Sequence, residues 1–314
     1  MRLGLLFAKS QGQLRRFDQD GDCLEVEDKN NRIKLQGLVC VFLSAVFFSL
    51  AGILIKLISW SPMTINGIRS IFAALVMLVY IKKIGHRFVL NKTVFFGALC
   101  NTVMNGTFVI ATKITSAANA IVLQFTMPIF IIVFTMIFFK KRPKISETVT
   151  CLIVFSGIVC FFFDSLTRAG MLGNILAIVS GAAYAGVFMQ KRIPGSDFES
   201  SAVIGQLLSV VISIPFWFQE STFTFTDAWA IVVLGVVQMG FAYILLAKGL
   251  EHVSPITASI TSTIEPILNP AIVALFYGES MGMFSKLGAG IVICSVAVYN
   301  ILNAKNKKGN VANV

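Results

Sequence analysis

The sequence is short of charge. Asp, Glu, Lys and Arg make up 13% of its 314 residues, against roughly 25% in a soluble domain. That leaves too little polar surface to coat a globule of this size, which excludes the soluble class. Histidine is nearly missing, with only His86 and His252. There is no HExxH, no GxGD and no clustered Asp set that could hold metal-bound lipid phosphates, so an intramembrane enzyme is disfavoured. No GxxxxGK[ST] loop is present, so ATP is not indicated as a driving force. Cys23, Cys40, Cys100, Cys151, Cys160 and Cys294 show no CxxC or ligand spacing. Five of the six fall in apolar runs, where Cys acts as a small hydrophobe, and neither disulfides nor zinc are implied. No cofactor is expected. The first 34 residues hold no apolar stretch longer than Leu3–Ala8, which argues against a cleaved signal peptide and for a cytosolic tail.

Apolar length, by contrast, is plentiful. Hydrophobic residues are 56% of the chain and the mean hydropathy is +0.82. A helix needs about 20 apolar residues to cross a bilayer. Ten runs qualify: 35–58, 63–81, 93–112, 115–139, 146–164, 171–190, 198–218, 227–247, 253–277 and 283–302. They are continuous rather than alternating, which argues against a β-barrel. The expectation is an all-α integral membrane protein with ten transmembrane helices.

The formal net charge of +11 sits between those runs, so it bears on orientation in a bilayer rather than on nucleic acid, and no nucleic-acid partner is expected. With the N-terminus in the cytosol, 21 of the 26 Lys and Arg residues fall on the cytosolic side. Lys113, Arg168 and Lys286 fall outside, and Lys56 and Arg69 lie within spans. The positive-inside rule therefore places a multi-pass chain in the plasma or inner membrane with both termini cytosolic.

The second half echoes the first. At an offset of 138, Gly97 matches Gly235, Ser116 matches Ser254, Ala120 matches Ala258 and Pro128 matches Pro266. At an offset of 136, Gly37 matches Gly173, Ser44 matches Ser180 and Phe48 stands opposite Tyr184. The organisation expected is a tail over 1–34, a first unit over 35–164, a second over 170–302 and a tail over 303–314. Each unit holds five spans, an odd number, so the second enters the membrane inverted. Two inverted five-helix repeats around a midplane site are a transporter architecture.

Thr115-Ser116-Ala117-Ala118-Asn119-Ala120 leads to Pro128 in the fourth run, and Ser254-Pro255-Ile256-Thr257-Ala258 leads to Glu265-Pro266-Ile267 and Tyr277-Gly278-Glu279 in the ninth. With Arg69 and Gly157, these residues make 35–302 resemble an EamA-type member of the drug/metabolite transporter superfamily. The chain departs from the pattern at Lys141 and Ser295, near span ends or at packing positions. The resemblance implies a transporter of small solutes such as amino acids and other metabolites, without fixing which.

Polar residues inside the spans are the candidates for the pathway. Glu265 is the only carboxylate near a span centre. It is either a proton- or cation-responsive group or a neutral side chain bonded to kinked backbone. Pro128 and Pro266 free the carbonyls of Gln124 and Ser262 at matched places in the two units, a pattern found where backbone lines a cavity. Arg69 lies about 10 Å into its span at helical rise; it either attracts an anionic group or binds backbone carbonyls. Asn101 and Asn105 share a helix face, and Gln124, Tyr184, Gln238, Tyr243 and Asn269 add polar atoms near mid-membrane, as hydrogen-bonding partners of a solute or as interhelical glue. Trp60, Trp217 and Trp229 fall near span ends, as interfacial anchors do. Gly181 with Ala185, and Gly290 with Cys294, allow close helix contact, within the chain or in a homodimer.

The function expected is secondary transport of a small metabolite, such as an amino acid or related solute, by alternating access. Proton coupling through Glu265 and facilitated exchange both fit. A receptor or channel is the alternative, and an enzyme is less favoured. The partners expected are a small-molecule substrate and the lipid bilayer.

Overall fold

Apolar runs in a chain with so little charge can hide their backbone polar groups from lipid only by hydrogen-bonding within themselves, which favours helix. The computed structural model describes residues 32–115, 117–161, 163, 170–220, 222–268, 272 and 282–311. Among these, all regular structure is helical, and seven helices are long and apolar enough to cross a membrane. The elements are α1 (32–48), α2 (Ala51–Leu57), α3 (Pro62–Ile84), α4 (Lys92–Ile114), α5 (Ala117–Gln124), α6 (Met127–Phe139) and α7 (Ile145–Phe161). They continue with α8 (Met171–Met189), α9 (Phe198–Trp217), α10 (Phe225–Val233), a π-helical stretch (Leu234–Phe241) and α11 (Ala242–His252). The last are α12 (Pro255–Ser262), α13 (265–268) and α14 (Met283–Val311).

Sequence signals set the ends. Ser61 caps α3 by accepting from the Thr64 N–H, with Pro62 in the first turn, and Gly85 closes it at φ 65°. Asn91 caps α4, Asp197 caps α9, and Thr224 with Asp227 forms a capping box on α10.

At the centre, α4 packs against α3, α8 and α9, and α3 packs on α9 and the π-helical stretch. α1 lies on α11, where the Ser44 hydroxyl donates to the Ala242 carbonyl at 2.9 Å. α7 and α14 pair at the periphery, with Gly157 seated on Ile291 and Val292. A belt of apolar side chains faces outward, including Leu75, Val79, Ile137 and Val211, as a lipid-facing surface requires. Gly181 is packed inside the chain: a Cβ there would stand 2.7 Å from the Gln124 carbonyl.

Several of the expected runs are not continuous helices. The first breaks at Ser49–Leu50, the fourth at Phe125–Thr126 and the ninth at Thr263–Ile264, while the eighth widens into the π-helical stretch. At each of the three breaks a hydroxyl donates to the carbonyl three residues back: Ser49 to Val46, Thr126 to Leu123 and Thr263 to Ile260. Pro128 and Pro266 follow two residues after the end of a break. Each falls in the first turn after the interruption, where a missing N–H is harmless, and Pro128 lies within a helical span, Ala120–Phe139, that continues through it. Trp60 is a correction to the interfacial reading: it is buried, with its Nε1 donating to the Thr222 carbonyl at 2.9 Å and its ring against Phe223.

The hydroxyls at the breaks are testable. Thr126→Val and Thr263→Val keep the shape and remove the donor, and each is expected to lower stability by about 1 kcal/mol. Thr150→Val, whose hydroxyl back-bonds within the regular helix α7, is expected to change it by much less. Thermal unfolding in detergent of the three variants checks this, and equal effects would contradict it.

Candidate functional site

The breaks converge. Phe48 and Ala51 flank the first, Gln124 precedes the second and Glu265 follows the third, and Gln238 and Met239 belong to the π-helical stretch. All six line one interior cavity, together with Arg69, Met104, Asn105, Phe108 and Tyr184. Its volume is ≈ 30 Å³, room for a water or two and far below the roughly 300–1,000 Å³ of a site holding an organic ligand.

A polar network backs this cavity. Arg69 Nη2 donates to Asn66 Oδ1 at 3.1 Å and to the backbone and side-chain oxygens of Asn105 at 3.4 Å each. Asn105 Nδ2 donates to Asn101 Oδ1 at 2.7 Å and to the Tyr243 hydroxyl at 3.1 Å, and that hydroxyl donates to Asn101 Oδ1 at 2.7 Å. Across the cavity lining, Gln124 Nε2 donates to the Ser180 hydroxyl, which donates to the Met104 carbonyl, both at 2.8 Å. Phe48 stands edge-on to both Tyr184 and Tyr243. Among the described residues, several atoms in this region are buried without a hydrogen-bond partner: Arg69 Nε, Asn101 Nδ2, both polar atoms of the Gln206 amide, Gln238 Oε1 and Glu265 Oε2. Arg69 and Glu265 share the cavity wall, yet no ion pair joins them among the described residues.

The structure thus brings Arg69, Asn105, Gln124, Tyr184, Gln238 and Glu265 to one cavity. Asn101 and Tyr243 stand behind it in the network, and Pro128 and Pro266 sit in the helices that start beside it. Asn269 lies outside the described residues. Asn66, which orients Arg69, is an addition to the expected set; its signal is the three-residue spacing from Arg69, which puts both on one helix face.

Hydrogen bonds and ion pairs tie the chain together at both ends of α3. At one end of α3, the Ser59 N–H donates to Asp227 at 2.9 Å, the Ser61 N–H donates to Glu220 at 2.8 Å and Lys113 donates to the Ile58 carbonyl at 3.1 Å. At the other end, His86 pairs with Asp197 at 2.9 Å and the Val89 N–H donates to the Ser200 hydroxyl at 3.0 Å. There Lys191 also bridges Glu199 at 2.8 Å and Glu251 at 3.4 Å. His86, Asp197 and Glu199 have ligand atoms within 4.8 Å of one another, but Lys191 already neutralises Glu199. Burial works against charge on Asp197. The Ser200 side chain and N–H and the His86 ring outweigh it and hold the carboxyl below its ordinary value.

The chain as a whole is similar to known proteins. The model of the EamA-like transporter family matches residues 35–163 and, a second time, 171–301. The chain is 25% identical over 292 residues to the "Uncharacterized transporter YwfM" of Bacillus subtilis, covering 87% of this chain and 97% of that one. It is 22% identical over 289 residues to the "Uncharacterized inner membrane transporter YicL" of Salmonella typhimurium, covering 85% and 95%. A solved structure described only as "Crystal structure of protein" superposes with a TM-score of 0.73 at 15% identity, over 86% of this chain and 98% of that one. That likeness concerns the fold.

The tie through Asp197 carries its own prediction. A carboxyl held low stabilises the fold above its ordinary range and loses that contribution as pH falls through the depressed value. Asp197→Ala removes the cap of α9 and the partner of His86, and is expected to lower stability at pH 7 by about 1 kcal/mol. In thermal unfolding against pH, the gap to wild type is expected to close only below about pH 3.9, the ordinary Asp value. A gap unchanged to pH 3 would contradict this account.

Proposed function

This chain belongs to the EamA-like transporter family, a multi-pass membrane protein of the drug/metabolite transporter type, and we propose that it carries a small metabolite, such as an amino acid or related solute, by alternating access through the central cavity. The observation that carries the reading is the convergence of interrupted helices on one cavity that buried polar side chains line. Irregular backbone at membrane depth is stable only inside protein or along a cavity, and discontinuous helices are how secondary transporters build midplane sites.

In this reading the chain is two inverted five-helix units, 35–164 and 170–302, with both termini in the cytosol. The twofold match of the family model and the distribution of Lys and Arg support it. Four of the ties also support it, since they join the first unit to the second: Ser59 to Asp227, Ser61 to Glu220, His86 to Asp197 and Val89 to Ser200. Rocking one unit on the other breaks the ties at one end while keeping those at the other. A state with ties at both ends stands between the two openings. The family and the names of the relatives point to transport rather than to an enzyme.

Glu265 is the group through which a proton gradient would act, because it is the carboxylate on the cavity wall and one of its oxygens has no partner. The test begins with a thermal-stability screen against amino acids, nucleosides, sugars, S-adenosylmethionine and cationic drugs, followed by flux of the stabilising solute into liposomes. A ligand at 100 times its Kd adds roughly 2.7 kcal/mol, which such a screen detects. Glu265→Gln is expected to abolish the pH dependence of flux. Unchanged binding and unchanged pH response in that variant would remove proton coupling from the account.

A further inference from the structure

Arg69 is about as buried as a residue can be, with 2% of its surface exposed. A guanidinium has donors on three nitrogens and is charged at any physiological pH. Here every hydrogen bond leaves from one of them, Nη2, towards Asn66 and Asn105. Nε is buried and donates to nothing among the described residues. Among the described residues, no carboxylate pairs with this cation. Removing a charge from water without a counter-charge costs several kcal/mol, and a purely structural arginine would be expected to fill its donor fork.

Of the unpartnered atoms in this region, Gln206 supplies one donor and one acceptor, and four others divide between elements. The donors Arg69 Nε and Asn101 Nδ2 belong to the neighbouring helices α3 and α4. The acceptors Gln238 Oε1 and Glu265 Oε2 belong to the π-helical stretch and α13. A solute that satisfied both sets would present oxygen acceptors to the first and a donor to the second.

We propose that Arg69 is the anion anchor of the transport site, and that the carried solute bears a carboxylate which docks on the guanidinium edge left open at Nε. This rests on the reading of the cavity as the transport site. Nε keeps a free N–H, and the Nη2 beside it on that edge reaches Asn105 only at 3.4 Å, so a carboxylate that displaced Asn105 would meet two parallel donors. One guanidinium matches one negative charge, which favours a carboxylate over a phosphate dianion. Glu265 and Gln238 then face the remainder of the solute, where an ammonium or a hydroxyl group satisfies them. Amino acids and 2-hydroxy acids share this chemistry. Organic cations do not, since they would meet Arg69 with like charge.

The experiment uses the full chain purified in detergent. Melting temperature is read with each of the twenty L-amino acids, with L-lactate and 2-hydroxyisocaproate, and with the primary amide of every one. Glucose, uridine and tetraphenylphosphonium serve as neutral and cationic probes. The expected result is that at least one free acid stabilises the protein and its amide does not; whether it is an amino or a hydroxy acid identifies the source. Arg69→Gln is expected to weaken the apparent Kd for that acid at least about tenfold, and Arg69→Lys by less. The acid and amide comparison uses the unaltered chain, so it decides the matter even if Arg69→Gln fails to fold. An amide that binds as well as its acid would overturn the anchor, as would a folded Arg69→Gln variant with undiminished affinity. If only neutral or cationic probes bind and are carried into liposomes, the anchor falls and the transporter reading stands. If no probe is bound or carried, both fall.

Discussion

The structure depends on one constraint: a backbone carbonyl or N–H in lipid that finds no partner costs several kcal/mol. A helix meets that constraint automatically, and a broken helix does not. The breaks at Ser49, Thr126 and Thr263 are therefore informative. Each sits inside the protein, and each carries a hydroxyl bonded to the carbonyl three residues back. Gly181 lets α8 approach the carbonyl of Gln124, which Pro128 cannot serve. The backbone irregularity thus has local compensation, and in space it is gathered around a single cavity. The π-helical stretch adds a fourth irregular element on the same wall and turns Gln238 into it; such bulges occur frequently at functional sites.

The same economy governs charge. Most of the ionisable residues described lie at the ends of helices, where they cap, pair or meet solvent: Asp197 with His86, Lys191 with Glu199 and Glu251, and Glu220 on the Ser61 N–H. Arg69 and Glu265 are the exceptions at the cavity. Neither is paired with the other, and each leaves a polar atom unserved. A core built for stability alone would pair such groups or replace them with apolar ones, since unpaired buried charge is among the most destabilising features a fold can carry. A site that must take up and release a polar solute has reason to keep them.

Much of this was legible in the sequence, and the illegible part has physical causes. Apolar runs of about 20 residues mark helices because the bilayer sets their length. Intramembrane polar residues mark the cavity because lipid does not tolerate them, which is why Arg69, Asn105, Gln124, Gln238 and Glu265 meet there. The breaks were not legible in full. Pro128 and Pro266 announce two of them, but Ser49 lies in a run with no proline or charge nearby, and nothing in Leu234–Phe241 distinguishes π from α geometry. The ties at the ends were invisible for another reason. Their partners lie far apart in the chain, Ser59 and Asp227 by 168 residues and His86 and Asp197 by 111, and local pattern carries no information about such pairings. Trp60 shows the same limit: its position suggested an interfacial anchor, and only the distant Thr222 carbonyl explains why it is buried.

The central claim is that the cavity opens in turn to the two sides of the membrane. The measurement that tests it most directly is thiol accessibility at Met104, which lines the cavity and is 5% exposed. Met104→Cys would be made in a chain with its six native cysteines replaced, and labelled by a membrane-impermeant maleimide added to either face of oriented vesicles. The account predicts labelling from both faces, slowed from both by a carried solute. Labelling from one face only, or from neither while cysteines at the helix ends react freely, would contradict it.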